Sequence, residues 1–371
     1  MRLDAFTKRV MRKNKSNQSR LPLTISAQYG LVDQITFFNK VVASTDLSNY
    51  YLLKKGEFAY NKSYSSDYPW GAIKRLDNYD QGALSSLYIC FAPQDNVVSD
   101  FILQYFESPK WHKGISEIAV EGARNHGLLN VAVQDFFHTY HYVPKDKKEQ
   151  IKISKLLMLL DERIATQNKI IEDLKKLKSA IIEKLYSEIQ GKEYSYRQLF
   201  EIINERNNRL EFSNVLSASQ ERGMVSREDL NLDIKFERSN INTYKIVRDG
   251  DYVIHLRSFQ GGFAFSNIVG VCSPAYTIMR PKDLLEYGYL SYYFTSRQFI
   301  KSLVIVTYGI RDGRSINVDE WLDMKIVIPT KEQQRHIVRT IKVFENRIEN
   351  EEMYASCLLK QKQHLLRQMF I

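Results

Sequence analysis

The chain has 371 residues, 44% of them hydrophobic, and carries 53 basic against 43 acidic side chains for a net charge of +10. That length supports roughly two to three domains with real cores. No run of about 18 apolar residues is present, which excludes a membrane-spanning helix. The polar opening MRLDAFTKRVMRKNKSNQSR lacks the apolar centre of a signal peptide. Cys90, Cys272 and Cys357 are scattered without a zinc-ligand spacing, so no metal site is expected, and the reducing cytoplasm is the expected setting. A basic balance favours nucleic acid. The excess is spread out, however: residues 1–143 hold 16 basic and 13 acidic groups, 144–192 hold 12 and 8, 193–327 hold 17 and 17, and 328–371 hold 8 and 5. Charge at this grain singles out no binding face.

Residues 1–143 mix short strand-like runs, such as Leu87–Phe91, with a helical stretch at Phe101–Phe106. Gly56 in LKKGEFAY (Leu53–Tyr60) marks a turn between two such runs. After Pro144 the pattern changes. Asp146-Lys-Lys-Glu149 has capping-box spacing. Ile153, Leu157, Leu160, Ile164, Gln167, Ile171, Leu174, Lys178, Ile181 and Leu185 then recur at alternating steps of four and three, the seam of a coiled coil. Gly191 is placed to end this helix, which from 150 to 186 would run about 55 Å. Residues 193–327 return to mixed patterning, with strand-like Tyr252–Leu256, Tyr276–Met279 and Lys325–Ile328 and a helical Leu284–Phe294. Pro329 and Thr330-Lys-Glu-Gln333 then open a second long helix. Its seam is Ile337, Ile341, Phe344, Ile348, Glu351, Ala355, Leu358, Lys362, Leu365 and Met369.

The second helix rewrites the first at an offset of 184 without a gap, so that DKKEQIKISKLLMLLDERI (146–164) faces TKEQQRHIVRTIKVFENRI (330–348). Both seams are broken by polar residues at the same two places, Gln167 with Glu351 and Lys178 with Lys362. Polar seam positions cost stability and fix register and partner. Two amphipathic helices lying on separate cores is the bland alternative, and it leaves the shared breaks unexplained. Antiparallel pairing as a rod accounts for them. Lys152, Lys155, Lys169 and Lys175 fall on outer faces, where they either touch DNA nonspecifically or are simply solvated.

The intervening segments repeat as well. LKKGEFAY resembles VRDGDYVI (Val247–Ile254), and NKSY ending at Tyr64 resembles LRSF ending at Phe259, with Lys62 opposite Arg257. GALSSLYICFAP (Gly82–Pro93) resembles GVCSPAYTIMRP (Gly270–Pro281), EGARNHGLLNV (Glu121–Val131) resembles YGIRDGRSINV (Tyr308–Val318), and ISAQYGLV (25–32) resembles LSASQERGMV (216–225). The expected fold is two pseudo-duplicated α/β (α+β) domains separated by two long helices that pair as an antiparallel coiled coil. Shared frames with unlike loops imply one job done on two targets.

The order and spacing of IPTKEQQRHIVRTI after GIRDGRSINVDEWLDMKI, of YNKSYSSDYPWGAIKRL, and of the two rod helices resembles the specificity subunit of a type I restriction–modification system over essentially the whole chain. The resemblance implies target-recognition domains at 1–143 and 193–327 and helical spacers at 144–192 and 328–371. It implies that each domain reads one half of a bipartite, asymmetric site in double-stranded DNA while the coiled coil sets the unread spacer. Two methyltransferase subunits would dock for N6-adenine methylation with S-adenosylmethionine, and motor–nuclease subunits would add ATP- and Mg-dependent restriction. No cofactor would be bound by this chain itself.

The residues carry no sign of a catalyst. The chain has no GxxxxGK[ST] loop, no Asn/Asp-Pro-Pro-Phe/Tyr motif and no HExxH, and SFQGGFAF (Ser258–Phe265) reads as a turn. PKDLLEYG (Pro281–Gly288) reads as a helix cap, and His138 and His141, three apart in a strand-like stretch, would face opposite ways. Base reading needs Arg or Lys for guanine, Asn or Gln for adenine, and further cations for phosphate. The loop candidates in the first domain are Lys13, Asn17, Arg20, Gln28, Tyr29, Lys62, Tyr64, Lys74, Arg75 and Arg124. Those in the second are Arg206, Asn208, Arg209, Gln220, Arg222, Arg257, Gln260, Arg311 and Arg314, with Arg124 and Arg311 matched in a G-x-R turn. A nuclease or methylase with an unrecognised site and a coiled-coil adaptor that never meets bases both stay open at this level.

Overall fold

A computed structural model of the chain describes residues 1–40, 43–119, 127–219, 222–230, 238–255, 262–308 and 315–370. The first half runs β1 (Thr7–Arg9), β2 (Pro22–Ser26), β3 (Gly30–Asp33), α1 (Gln34–Phe38), β4 (Tyr51–Lys54), β5 (Phe58–Asn61), β6 (Ala72–Arg75), β7 (Gln81–Leu84), β8 (Ile89–Pro93), α2 (Ser99–Glu107), α3 (His112–Ile118), α4 (Val133–His138) and the long α5 (Lys147–Ser187). The second runs β9 (Lys192–Ser195), α6 (Tyr196–Leu199), β10 (Phe200–Ile203), β11 (Leu216–Ser219), β12 (Gly223–Ser226), β13 (Lys245–Val247), β14 (Tyr252–Ile254), β15 (Phe263–Phe265), β16 (Gly270–Cys272) and β17 (Thr277–Pro281). It continues through α7 (Tyr289–Tyr293), α8 (Arg297–Ser302), β18 (Thr307–Tyr308), β19 (Ser315–Ile316), α9 (Val318–Asp323), β20 (Lys325–Ile328) and the long α10 (Lys331–Gln368). Among the described residues no helix is long and apolar enough to cross a membrane. Two compact units result, Met1–Asn168 with Met353–Ile371 and Lys169–Glu352.

The duplication read from the sequence is a duplication of topology. In the first unit one sheet has the order β1-β8-β5-β6 and the other β3-β2-β7-β4, with β2 and β7 parallel. The second unit repeats the former as β10-β17-β14-β15. It keeps the latter as the ladders β11–β12 and β13–β16, joined by a parallel bridge from Val215 to Val271. Gly56 and Gly250 sit at φ +85° and +89° in the matching turns, a conformation an L side chain rarely adopts, which is why the glycine recurs. Aromatic residues fill both cores: Phe58, Tyr60, Phe91, Phe106, Trp111 and Phe136 in one, Tyr196, Phe200, Tyr252, Phe263, Phe294 and Trp321 in the other.

Within each unit the two long helices lie side by side and antiparallel. In the first, Ile153 and Leu157 share a core with Leu366 and Phe370, Asp161 meets Lys362 at 2.5 Å, and Arg163 donates to the Tyr354 hydroxyl. In the second, Ile182 and Tyr186 share a core with Ile337 and Ile341, Lys178 meets Glu345 at 3.3 Å, and Lys175 meets Glu352 at 2.6 Å. The seam residues are buried or half-buried throughout, including the polar Gln167 and the break lysines. The paired helices also pack on the globules, with Ile153 and Leu157 in the first core and Ile337 and Ile341 in the second, so they do not lie on separate cores.

Two contacts recur in both units and explain why certain polar residues are buried. Gln150 accepts from Val98 N–H at 2.8 Å and donates to the Pro144 carbonyl at 2.7 Å. Gln334, 184 positions on, accepts from Glu286 N–H at 2.8 Å and donates to the Leu284 and Pro329 carbonyls at 3.0 Å. Each break lysine belongs to a three-part cluster. Lys362 pairs with Asp161, which also accepts from Gln104 of α2 at 2.9 Å. Lys178 pairs with Glu345, which also accepts from the Tyr292 hydroxyl of α7 at 2.8 Å. A polar seam position is thereby satisfied by the opposite helix and by the globule together.

Some expectations need correction. α5 ends at Ser187, and Gly191 is not its cap; a Cβ there would stand 2.1 Å from the Ile328 carbonyl oxygen, so glycine is required by the close approach of β20. The helix expected over Leu284–Phe294 is confined to Tyr289–Tyr293, and the strand expected over Leu87–Phe91 starts at Ile89. His138 ends α4 instead of lying in a strand, while His141 is buried, bonded to Tyr105 and Thr139. Thr330 and Gln333 do form the reciprocal capping box, and Asp146 caps through Lys148 N–H at 2.8 Å.

Candidate nucleic-acid interface

Three segments of the first unit converge on one edge. The β2–β3 hairpin ends in Ala27-Gln28-Tyr29, where Ser26 Oγ accepts from Tyr29 N–H at 3.2 Å and leaves Gln28 and Tyr29 exposed. The β5–β6 loop leaves Asn61, bridges Ser63 to Leu128, and bonds Lys62 and Tyr64 through their backbones to Leu129 and Gly127 at 2.9 and 3.0 Å. It then folds into a Ser65–Tyr68 turn whose Tyr68 hydroxyl donates to the Ala27 carbonyl at 3.5 Å. Gln28, Tyr29, Lys62 and Tyr64 are thus on segments tied to one another and to residues 127–129. Arg124 lies outside the described residues.

The second unit uses the same frame. Ser219 Oγ accepts from Arg222 N–H at 3.4 Å, as Ser26 does from Tyr29, and Gly223 follows where Gly30 does. The backbone of Gly223 packs against Phe265 of β15, and His255 N–H donates to Gly262 across the base of the β14–β15 loop. The β11–β12 hairpin thus packs against β15. Gln220, Arg257, Gln260, Arg311 and Arg314 lie outside the described residues. The matched tip positions read Gln28-Tyr29 in one unit and Glu221-Arg222 in the other: one frame, different chemistry.

Other candidates sit elsewhere. Lys13, Asn17 and Arg20 precede β2, whereas the tip follows it. Lys13 donates to the Asn49 carbonyl at 2.8 Å and lies 4.5 Å over the Tyr51 ring, and Asn17 Oδ1 accepts from Leu47 N–H at 2.9 Å. Arg206, Asn208 and Arg209 occupy the equivalent loop of the second unit, all exposed, with Arg209 3.9 Å from Glu211. Lys74 and Arg75 are on β6 and not on a loop: Lys74 pairs with Glu107 at 2.6 Å, and Arg75 pairs with Asp77 and Asp100 at 2.7 Å each. Both serve the globule. On the long helices Lys152, Lys155 and Lys169 are exposed, and Lys175 is engaged by Glu352.

Residues that organise this arrangement escaped sequence reasoning. Asn14 and Asn207 close matching loops, and Asp161, Glu345, Gln104 and Tyr292 complete the seam clusters. The acids Asp161 and Glu345, and the glutamines Gln150 and Gln334, were detectable, because each pair falls on the same 184-residue offset as the seam.

No protein-family model matches the chain, and no curated protein matches it. Solved structures match it nearly end to end. A chain from a structure concerned with complex assembly and conformational transition of the type I R-M system superposes with a TM-score of 0.62 at 13% identity, over 99% of this chain and 96% of that one. The HsdS subunit from Thermoanaerobacter tengcongensis gives 0.51 at 14% identity, over 100% and 95%. The type I restriction-modification S subunit from M. genitalium gives 0.52 at 13% identity, over 100% and 95%. At these identities the likeness is one of fold, and the fold of this chain is that of the type I restriction–modification S subunits.

Proposed function

We propose that the chain is the non-catalytic specificity subunit of a type I restriction–modification complex. Each globule reads one half of a bipartite, asymmetric sequence in double-stranded DNA. The helix pair sets the number of unread base pairs between the halves. Methyltransferase subunits dock on the chain and methylate adenine N6 with S-adenosylmethionine, and motor–nuclease subunits supply ATP- and Mg-dependent cleavage.

The observation that carries this reading is the repeated frame with unlike tips. The matching hairpins β2–β3 and β11–β12 turn at sequences that read Gln28-Tyr29 in one unit and Glu221-Arg222 in the other. A structural adaptor would have no need to vary side chains at the tip of a repeated hairpin. An asymmetric site follows, because unlike donors and acceptors select unlike bases.

Mapping methylated adenines in cells with and without the gene tests the reading, with loss of one bipartite motif as the expected result. A second experiment deletes seven residues from both long helices, which shortens each by about 10.5 Å. The same half-sites should then be methylated at a shorter spacing. An unchanged methylome on gene loss would refute base recognition, and unchanged spacing after the deletion would refute the spacer role.

A further inference from the structure

The loop holding Lys13, Asn17 and Arg20 has a twin in the second unit, and the two differ in charge. Asn14 ties the first shut, with Nδ2 donating to the Ser19 carbonyl and Oδ1 accepting from Ser19 N–H, both at 2.8 Å. Asn207 makes the same pair of bonds with Phe212, at 2.8 and 3.2 Å. Asn14 N–H bonds the Tyr50 carbonyl and Asn207 N–H the Tyr244 carbonyl, each at 2.9 Å. Asn17 and Leu210, three residues after each asparagine, share positive φ values of 51° and 55°. The backbone is therefore one design used twice.

Residues 12–20 carry Arg12, Lys13, Lys15 and Arg20 and no acid, whereas residues 205–213 carry two basic and two acidic groups. Over wider matched windows, residues 8–40 hold seven basic groups and one acid, and residues 201–233 hold four and seven. The adjoining turn reads Lys54-Lys55 in one unit and Arg248-Asp249 in the other. In the second unit Arg248 is answered by Glu205 at 3.0 Å and Arg209 by Glu211 at 3.9 Å, which leaves Arg206 as the one cation of that loop without a side-chain partner among the described residues. In the first, Arg12 meets Glu57 at 2.8 Å, but the exposed side chains of Lys15, Arg20 and Lys55 have no protein partner among the described residues. The fold does not require this charge, since the second unit builds the same loop neutral.

We infer that the loop 12–20 and the adjoining Gly56 turn grip DNA phosphates away from the base-reading tip, so that the first half of the chain supplies an electrostatic anchor that the second half lacks. The inference rests on the DNA-reading function proposed above. Duplex DNA presents a phosphate charge about every 1.7 Å, which suits several unpaired cations on a loop and its adjoining turn, and such contacts hold without selecting sequence.

The test uses the chain assembled with its methyltransferase subunits. Binding of the mapped target duplex and of a scrambled duplex is followed by fluorescence anisotropy between 50 and 200 mM salt. The triple variant Lys15→Gln, Arg20→Gln, Lys55→Gln should lower the log–log salt slope by about 2.7, at roughly 0.9 per lost phosphate contact. Over that fourfold range its affinity should therefore fall about forty-fold less than that of the unaltered complex. Both duplexes should change alike. Arg206→Gln with Arg209→Gln should move the slope by less than about one. An unchanged slope overturns the anchor. So does a loss confined to the target duplex, which would make these residues base readers, or a loss of subunit assembly, which would make the loop a protein contact. If the unaltered complex shows no preference for the target, base recognition itself fails. A retained preference with an unchanged slope sinks the anchor alone.

Discussion

Removing the Lys362 ammonium should weaken the first unit by an amount that the surroundings of the cluster predict. Exposed ion pairs contribute about 0.2–1 kcal/mol, and breaking a fully buried pair costs about 3–5 kcal/mol. Lys362 is 16% exposed and Asp161 40%, so solvent screening on the acid side places their coupling at about 1 kcal/mol. The acid matters more than the base. The buried Gln104 side chain donates to Asp161, and its own carbonyl oxygen has no partner, so Asp161→Ala leaves the whole amide unsatisfied. That adds about 1–3 kcal/mol. Lys362→Met should therefore cost about 1 kcal/mol and Asp161→Ala about 2–4 kcal/mol. The exchange of Asp161→Lys with Lys362→Asp should recover part of the pair energy but not the Gln104 bond. Urea unfolding of the full chain reads this out through Trp70 and Trp111, which lie in the first unit, in a Trp321→Phe background. A coupling below about 0.3 kcal/mol, or equal costs for the two single changes, would refute the argument that the globule and both helices share one polar cluster.

Gln150→Ala and Gln334→Ala should each destabilise their own unit by about 2 kcal/mol, because both residues are 1% exposed and the loss takes the side-chain partner from a backbone N–H and a carbonyl in the first case and from an N–H and two carbonyls in the second; equal urea midpoints for variant and parent would contradict this. Gly191→Ala should cost more than about 3 kcal/mol, since the added carbon meets the backbone of Ile328 and Pro329 at 2.1–2.9 Å and neither strand nor proline can retreat cheaply; thermal melting measures it. Burial pushes His141 down to about 4. The unfolded chain, with histidine near 6.5, then binds the extra proton between those values, so stability present above pH 6.5 is lost as pH falls toward 4, by up to about 3 kcal/mol. Urea midpoints measured from pH 4 to 7 should slope upward, and His141→Gln should flatten them.

The long helices were legible in the sequence because seam burial follows from a period, and a period survives any particular choice of residue. Ile153, Leu157, Ile337 and Ile341 are buried where the four–three spacing puts them. The turn glycines were legible because only a missing Cβ meets the backbone requirement at Gly56 and Gly250. The seam clusters were legible only by half. Lys178 and Lys362 repeat, but the globule residues that donate to their acid partners Glu345 and Asp161 are Tyr292 and Gln104, and nothing in their chemistry marks a tyrosine and a glutamine as equivalents. The Asn14 and Asn207 loops hid for a different reason: the side chain bonds the backbone of a residue five positions on, and backbone atoms leave no trace in sequence. Lys74 and Arg75 were misplaced because a lysine–arginine step after a glycine-containing run looks the same on a loop as on an edge strand.

The contrast between the helices and the globules follows from how each tolerates change. Across the long helices the offset stays at 184 from Gln150 and Gln334 through the acids Asp161 and Glu345 to the lysines Lys178 and Lys362. In the globules it drifts: Asn14 matches Asn207 at 193, Gln104 matches Tyr292 at 188, and the first residues of α4 and α9, Val133 and Val318, match at 185. A one-residue insertion in a loop is absorbed locally at little entropic cost. The same insertion in a paired helix rotates everything beyond it by about 100° and takes every later seam residue off the interface. Charged seam positions raise that penalty, because slippage would bury Lys362 and Lys178 away from Asp161 and Glu345. The helices are held to one length by their own pairing while the loops on the globules are free to change, and the spacer role proposed above would need both properties.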